Sequence, residues 1–575
     1  MNSLLRRGRT WTLADPPDPD LARRIELELG CHQAFAAVLA RRGGNEWQRL
    51  LDPDRRFLHP PMAMLDMERA VDRIEKAVRA EERLFVHGDF DVDGLTGAAV
   101  LFLGFAALLP KGHVKVEVGE RQRGHGLSRQ FVRRAIEEKS DLVVTVDCGV
   151  SNADEIALLR EAGIDTVVTD HHIPPMELPP AIAVVNPQRA DEQYPNRYLA
   201  GVGVAFKLLC AVYERLGKPL PYDMLDLVAL GTVADLVPLS SGAEVENRAI
   251  VREGFELIAA GRGSSLGLRG LMDCLGIDTK QVSAASIGYL IAPKLNAANR
   301  AGDPKVAFLL LTTTQRERAK YLSEVLLDYN RDREIAQEDL LLQAREMIRE
   351  RGLSPREAGM VFLVGRYWNE GILGLAASNL VDQYHVPAII ISRGDTVSRG
   401  SCRSVDGIDI LACLESQSDL LLQYGGHEMA AGFSIANERL PDLEERLAGI
   451  LVGRAGERPR VPPGILAARA GIEELDMKFY TNIRSLAPYG PGNPAPLFLI
   501  EDCQFSRLSL VGARQQHLKG NVMQGGDSVP FIAFRMGRHI PILEAARSAG
   551  VVFRAGFDDW RSRVQLELVD VVGLG

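Results

Sequence analysis

Three aspartates alternate in Asp89-Phe90-Asp91-Val92-Asp93, directly behind the apolar run Leu84-Phe85-Val86. Carboxylates this close repel one another, and an ordered chain tolerates them best when multivalent cations neutralise them. A solvated acidic turn is the plainer reading, adequate for two carboxylates but poor for three behind a buried strand. A calcium loop of the EF-hand type also opens with alternating Asp and a Gly at its sixth place, here Gly94, but it needs Glu at the twelfth. The twelfth place is Val100, and the preceding segment reads as strand. The pattern therefore predicts a metal site at a strand end.

Its surroundings say which kind of sheet. Short Val-rich runs recur at Leu84 to Val86, Leu142 to Val146, Thr166 to Thr169 and Ile182 to Val185, separated by amphipathic stretches such as Asn152 to Ala162. Continuous apolar runs joined by helices predict βαβ units and a parallel sheet covered on both faces, so the fold class is α/β. Asp147 and Asp170-His171-His172 each follow such a strand at its carboxyl end, where open parallel sheets place their ligand sites. A fourth acid, Asp235, closes Leu227 to Ala234, where Gly231 lets the backbone approach closely. Carboxylates and imidazoles without thiolate suit Mg²⁺ or Mn²⁺, with Zn²⁺ and Co²⁺ left open. There are ligands enough for two ions, the usual device for in-line phosphoryl hydrolysis, and Asp147 is the expected bridging carboxylate.

A chain of 575 residues exceeds one core and suggests three or four domains. Hydrophobic content of 46% and charged content of 25% are ordinary globular values. The longest apolar stretch, Ala98 to Leu109, is short of the roughly 20 residues a bilayer requires, and Met1 to Thr12 lacks the apolar core of a secretory signal. No membrane partner is expected. Seven cysteines without a C-x-x-C pair argue against a disulfide framework and a zinc ribbon, so a cytoplasmic location is expected. The net charge of −9 does not exclude a nucleic-acid partner, because a local basic groove decides phosphate binding. Gly201-Val202-Gly203 lacks the rest of a dinucleotide fingerprint, and no Walker lysine motif is present, so neither NAD nor ATP is implied. Cys148 reads as a small core residue.

Residues Gln315 to Arg351 contain neither Gly nor Pro and read as one amphipathic helix of roughly 55 Å, opened by a capping box at Thr314 and Glu317. The expected divisions are 1–312 for the N-terminal segment and metal-binding domain, 313–352 for the connecting helix, 353–455 for a smaller α/β domain, and 464–575 for a β-barrel of the oligonucleotide-binding kind. A linker is expected at Gly456 to Pro463.

His87-Gly88-Asp89-Phe90-Asp91-Val92-Asp93-Gly94, Val146-Asp147-Cys148-Gly149, Asp170-His171-His172 and Gly231-Thr232-Val233-Ala234-Asp235 resemble the four motifs of the DHH phosphoesterase superfamily. Gly400-Ser401-Cys402-Arg403-Ser404 and Gly425-Gly426-His427-Glu428-Met429-Ala430-Ala431-Gly432 are similar to its associated DHHA1 domain. Over nearly its whole length, through Pro488 to Pro494 and the terminal β domain, the chain resembles the superfamily's single-strand-specific 5′ to 3′ DNA exonucleases of repair and recombination. The resemblance implies that Asp89, Asp91, Asp93, Asp147, His171 and Asp235 hold two divalent ions, Mn²⁺ or Mg²⁺, with Asp147 and His172 at the chemistry and His87 as a substitute for, or a support to, one of the first-motif acids. It also implies that Arg121, Asn296, Arg300, Ser401, Arg403, Gly426 and His427 bind substrate, the arginines through bidentate forks. Single-stranded DNA is the implied partner, with a RecQ-type helicase and a single-strand-binding protein as co-workers. The chain departs from the family at Asn299, usually Gly; at Asn369, commonly His; and in Arg121-Gln122-Arg123-Gly124-His125-Gly126, where Glu-Gly-Tyr-Gly is more usual. The alternatives are a DHH phosphatase acting on small nucleotides or oligonucleotides, disfavoured by the chain's length, and an inactive scaffold, disfavoured by four intact acidic motifs.

Overall fold

The computed structural model describes all residues except 6–8, 122–123, 453–462, 513, 547, 559–560 and 574–575. The linker expected at Gly456 to Pro463 therefore lies, Pro463 apart, outside the described residues. After a short strand β1 (Trp11–Leu13), the first sheet comprises β2 (Leu84–Gly88), β3 (Val114–Val118), β4 (Leu142–Val146), β5 (Asp165–Thr169) and β6 (Ala183–Val185). All are parallel, in the order β3-β2-β4-β5-β6. Every residue of β2 and of β4 is buried, because each face carries helices. Val86 and Val144 point into a core with Val71, Leu101 and Leu208, whereas Phe85, Val143 and Val168 join Phe131, Ile156 and Leu159 on the other side. Strand β3 is not among the expected runs: it sits at the sheet edge, and its exposed Lys115 and half-buried Glu117 interrupt the apolar pattern by which the inner strands are recognised.

The helix Arg316–Glu350 leads from this domain to the next. Ala319, Leu322 and Leu326 belong to the first core, and Leu340, Leu341, Ala344 and Ile348 to the second, so one rod braces both. The capping box does not form. The N-cap is Gln315, whose side chain caps nothing, and the third helical residue is Arg318, which has no oxygen to return the bond. Five further strands, β7 (Val361–Arg366), β8 (Ala388–Arg393), β9 (Val397–Arg403), β10 (Leu421–His427) and β11 (Ala430–Ala436), form a sheet in the order β10-β11-β9-β8-β7.

The C-terminal region opens with β12 (Gly464–Leu466) and β13 (Ala468–Arg469), followed by β14 (Phe498–Val511), β15 (His517–Gln524), β16 (Asp527–Ala533), β17 (Ala549–Asp558) and β18 (Arg563–Val572). The last five close into a barrel through the β14–β17 pairing. The first part of the N-terminal segment packs here, whereas Met64, Met67 and Ile74 join the core of the first sheet. Strand β1 runs parallel to β12, the Trp11 indole donates to Asp570 Oδ2 at 2.8 Å, and Leu21, Ile25, Phe35 and Trp47 share a core with Phe479, Phe498 and Phe553. These apolar side chains would otherwise lie in water, and the barrel offers them an apolar partner.

Helix Val92–Ala106 presses on the loop behind β2: a Cβ at Gly94 would lie 2.6 Å from the Asp89 Cα and carbonyl oxygen. Backbone cannot yield as a flexible side chain does. Gly94→Ala should therefore lower the free energy of unfolding by about 1–3 kcal/mol in urea titration, and an unchanged midpoint would show that this approach is not tight.

Candidate metal centre and phosphate cleft

Each acid of the site is fixed by the backbone around it. Asp91 is the N-cap of helix Val92–Ala106, accepting the N–H groups of Asp93 at 2.9 Å and Gly94 at 3.3 Å. Buried Asp93, the second residue of that helix, accepts from Gly201 N–H at 2.6 Å and Val202 N–H at 2.8 Å, donors at the start of helix Gly201–Arg215 that have no partner within the helix. Gly201 is thus required for a close helix approach, since a Cβ there would lie 2.9 Å from the Asp147 Cα. Asp147 follows β4 at a φ of 61°, a conformation that Asp adopts more readily than most residues. Asp235 arrives from the C-terminus of helix Leu225–Ala234, where a Cβ at Gly231 would collide with Thr96 and Val202.

These elements bring all six expected ligand residues together. Donor atoms of Asp89, Asp91 and Asp147 lie within 4.8 Å of one another, as do those of Asp93, His171 and Asp235. His171 Nε2 stands 3.1 Å from Asp147 Oδ1, 3.7 Å from Asp93 Oδ2 and 3.6 Å from Asp235 Oδ2, so Asp147 faces both groups. Burial and neighbouring carboxylates push Asp93 up to about 7, Asp235 up to about 9 and Asp147 well above the usual range. Burial and the adjoining His172 hold His171 down to about 4, so its approaches to the acids are those of a neutral imidazole, not of an ion pair.

Two buried atoms, His171 Nε2 and Asp89 Oδ1, have no hydrogen-bond partner. Unpaired polar atoms under cover are costly, and a cation among them satisfies both while relieving the repulsion between carboxylates. The residues therefore fit a pair of hard divalent ions.

Asp170 stands behind the cluster. Burial alone would raise it, but the hydrogen bond from His172 Nδ1, at 2.8 Å, and those from backbone N–H groups bring it below its ordinary value. The same contact raises His172 against the opposing effect of burial. His87, expected in support, joins none of the candidate groups: it is buried 4.5 Å from the Phe131 ring, centroid to centroid. His125, by contrast, enters the sequence pattern only as part of a departing motif, yet its Nδ1 lies 3.1 Å from Asp89 Oδ2. The flanking glycines, Gly124 at φ 87° and Gly126 at φ 90°, were the available signal of an unusual loop; Gln122 and Arg123 lie outside the described residues.

Beside the acids runs a cleft of about 1320 Å³ lined by Phe90, Arg121, Asn299, Arg300, Ser401, Arg403, Gly426 and His427. Asn296, one helical turn earlier, is not in the lining; Asn299 is. Asn299 donates to the carbonyls of Phe90 at 3.1 Å and Gly119 at 3.0 Å and accepts from Arg121 N–H at 2.9 Å, ties that glycine could not make. Asn369 likewise serves the framework, accepting from Gly371 N–H at 2.8 Å and donating to the Arg300 carbonyl at 3.3 Å. Burial lowers Arg121, Arg300 and Arg403, Arg300 to about 9 with help from the neighbouring Arg121, Arg333 and Arg403. Crowded guanidinium groups of this kind suit a polyanion. Gly426, at φ 144°, leaves no room for a Cβ beside Ala431.

Family models match the chain in three places: the DHH family N-terminal domain at residues 83–232, the DHHA1 domain at 357–453 and the RecJ OB domain at 467–570. The single-stranded-DNA-specific exonuclease RecJ of Haemophilus influenzae is 32% identical over 90% of this chain and 92% of its own. Its namesake in Bacillus subtilis is 31% identical over 96% of this chain and 69% of its own. Among solved structures, RecJ from Thermus thermophilus in complex with Mn²⁺ superposes with a TM-score of 0.82 at 31% identity, covering 99% of this chain and 80% of that one. Its complex with Mg²⁺ gives a TM-score of 0.77 at 29% identity over 99% and 79%. With the metal-binding domain, the DHHA1 sheet and the closed barrel in this order, the chain belongs to the RecJ family.

Proposed function

We propose that the protein is an exonuclease that hydrolyses single-stranded DNA from its 5′ end. The observation that carries this reading is the position of Asp147 between two groups of ligands at the edge of a cleft lined by four arginines, Arg121, Arg300, Arg399 and Arg403. It is supported by relatives named single-stranded-DNA-specific exonucleases and by a relative crystallised with Mn²⁺ and with Mg²⁺. Asp93, His171 and Asp235 would hold one ion, Asp89 and Asp91 the other, and Asp147 would bridge them. When bound, such a pair generates the nucleophilic hydroxide and neutralises the leaving oxygen.

The chain's own groups do the rest. His172 is anchored to Asp170 through Nδ1, which leaves Nε2 to donate to the scissile phosphate or the leaving oxygen. Arg121, Arg300, Ser401, Arg403, Gly426 and His427 grip the terminal phosphate, which sets the 5′ polarity. The barrel holds the trailing strand by stacking and backbone contacts, as such folds do. A RecQ-type helicase would supply unwound strands, and a single-strand-binding protein would present them, in the cytoplasm.

Asp147→Ala should lower nucleotide release from end-labelled single strands by more than about 100-fold, beyond the usual cost of disturbing a residue behind a ligand. Binding to single strands should persist, because the arginines are untouched; equal turnover in Mn²⁺-replete buffer would refute the role. The labelled products also report polarity, and preference for short oligomers over long strands would favour the small-substrate phosphatase.

A second expectation concerns pH. Asp93 and Asp235 hold protons in the metal-free folded protein up to about 7 and 9, far above an unfolded carboxyl. The folded state thus binds more protons than the unfolded one, and its stability falls as pH rises from about 4 through 9. Divalent ions displace those protons, so Mn²⁺ binding should release about one proton or more per molecule at pH 7, read by calorimetry in buffers of different ionisation enthalpy. Binding without proton release would contradict the electrostatics of the cluster.

A further inference from the structure

We propose that His125 is a positioning residue for the metal centre, its Nδ1–H holding Asp89 Oδ2 so that Asp89 Oδ1 is left for an ion. The inference rests on the metal reading above but not on the identity of the substrate. Nδ1 of His125 lies 3.1 Å from Asp89 Oδ2. A carboxylate only accepts, so the proton of this contact belongs to the imidazole. The other Asp89 oxygen is buried and has no hydrogen-bond partner, and the Asp89 carboxylate belongs to the group formed with Asp91 and Asp147. One oxygen is therefore committed to protein and the other is free to coordinate.

His125 itself stands outside every group whose donor atoms converge among the described residues, which separates it from the ligands. Its ring, partly exposed at the cleft, is flanked by two others. It lies edge-on to His172, with ring centroids 4.6 Å apart, and perpendicular to Phe90 at 6.5 Å. The turn carrying it is clamped from behind by Asn152, whose Oδ1 accepts from Leu127 N–H at 3.1 Å and whose Nδ2 donates to the Leu127 carbonyl at 3.3 Å. Both flanking glycines adopt positive φ, and a Cβ on Gly126 would strike that same Asn152 side chain. A loop built this tightly delivers one imidazole to one carboxylate oxygen. Ligating carboxylates depend on such outside hydrogen bonds for orientation, and losing one typically weakens metal affinity by about 10–100-fold.

The test uses the full chain and Mn²⁺ alone, titrated by calorimetry and by electron paramagnetic resonance without DNA, so its outcome is separable from that of the nuclease reading. His125→Phe should weaken one Mn²⁺ site by about 10–100-fold. His125→Asn, whose amide N–H falls near the Nδ1 position, should recover most of that loss, and His125→Gln, whose amide reaches toward Nε2, should not. In turnover assays the Phe variant should lose rate at limiting Mn²⁺, regain it in excess, and keep the wild-type KM for the strand. If the Phe variant folds poorly, a cycle decides: His125→Asn, His125→Gln and Asp89→Asn are combined, and on an Asp89→Asn background the two His125 variants should bind Mn²⁺ alike. Wild-type affinity in His125→Phe, an effect confined to KM for DNA, or undiminished His125 effects without the Asp89 carboxylate would each overturn the proposal.

Discussion

Repulsion among buried carboxylates is the constraint around which the first domain is arranged. Asp89, Asp93 and Asp147 are almost wholly removed from solvent, and Asp91 and Asp235 stand beside them. Nothing in the hydrophobic effect would gather such groups; the chain forces them together because each is fixed by backbone at the end of a strand or helix whose own packing is favourable. The energy of well-packed apolar layers on both faces of the sheet thus maintains an arrangement that is unfavourable in itself. Such local frustration is typical of sites made to hold something absent from the bare chain.

The inner strands of the first sheet were legible because burial on both faces leaves continuous apolar runs, as in Leu142 to Val146. The acids behind them could be placed at one edge from topology alone, since parallel strands all end on the same side. Less legible were features that depend on a partner distant in sequence. The edge strand Val114–Val118 mixes Lys and Glu into its pattern, and the long helix begins one residue later than its capping signal suggests. His87 and His125 show the limit most clearly. The first is part of a motif yet turns into the core beside Phe131, whereas the second sits in a glycine loop with no motif of acids and still reaches Asp89. Sequence spacing cannot tell which way a side chain faces when the loop carrying it is shaped by contacts such as that of Asn152 with Leu127.

Both departures at asparagine make the same point. Asn299 and Asn369 stand where a family pattern would suggest loss of a substrate contact, but each side chain ties backbone segments across the cleft region. Asn299 joins the first acidic loop to the helix Ala292–Ala301, and Asn369 joins the end of that helix, at the Arg300 carbonyl, to the DHHA1 region. The guanidinium groups and the acids are thereby held in register by short polar links. A cleft between two bodies needs such ties, because the rod Arg316–Glu350 alone braces them on one side only.

The pairing of β1 with β12 and the burial of Trp11 against Asp570, 559 residues away, tie two distant stretches of the chain together. During synthesis the helices Pro19–Leu29 and Gln33–Gly43 precede the barrel strands, so their apolar faces stay uncovered until the barrel has been made. Until the barrel closes over them, those apolar faces have no cover within the chain.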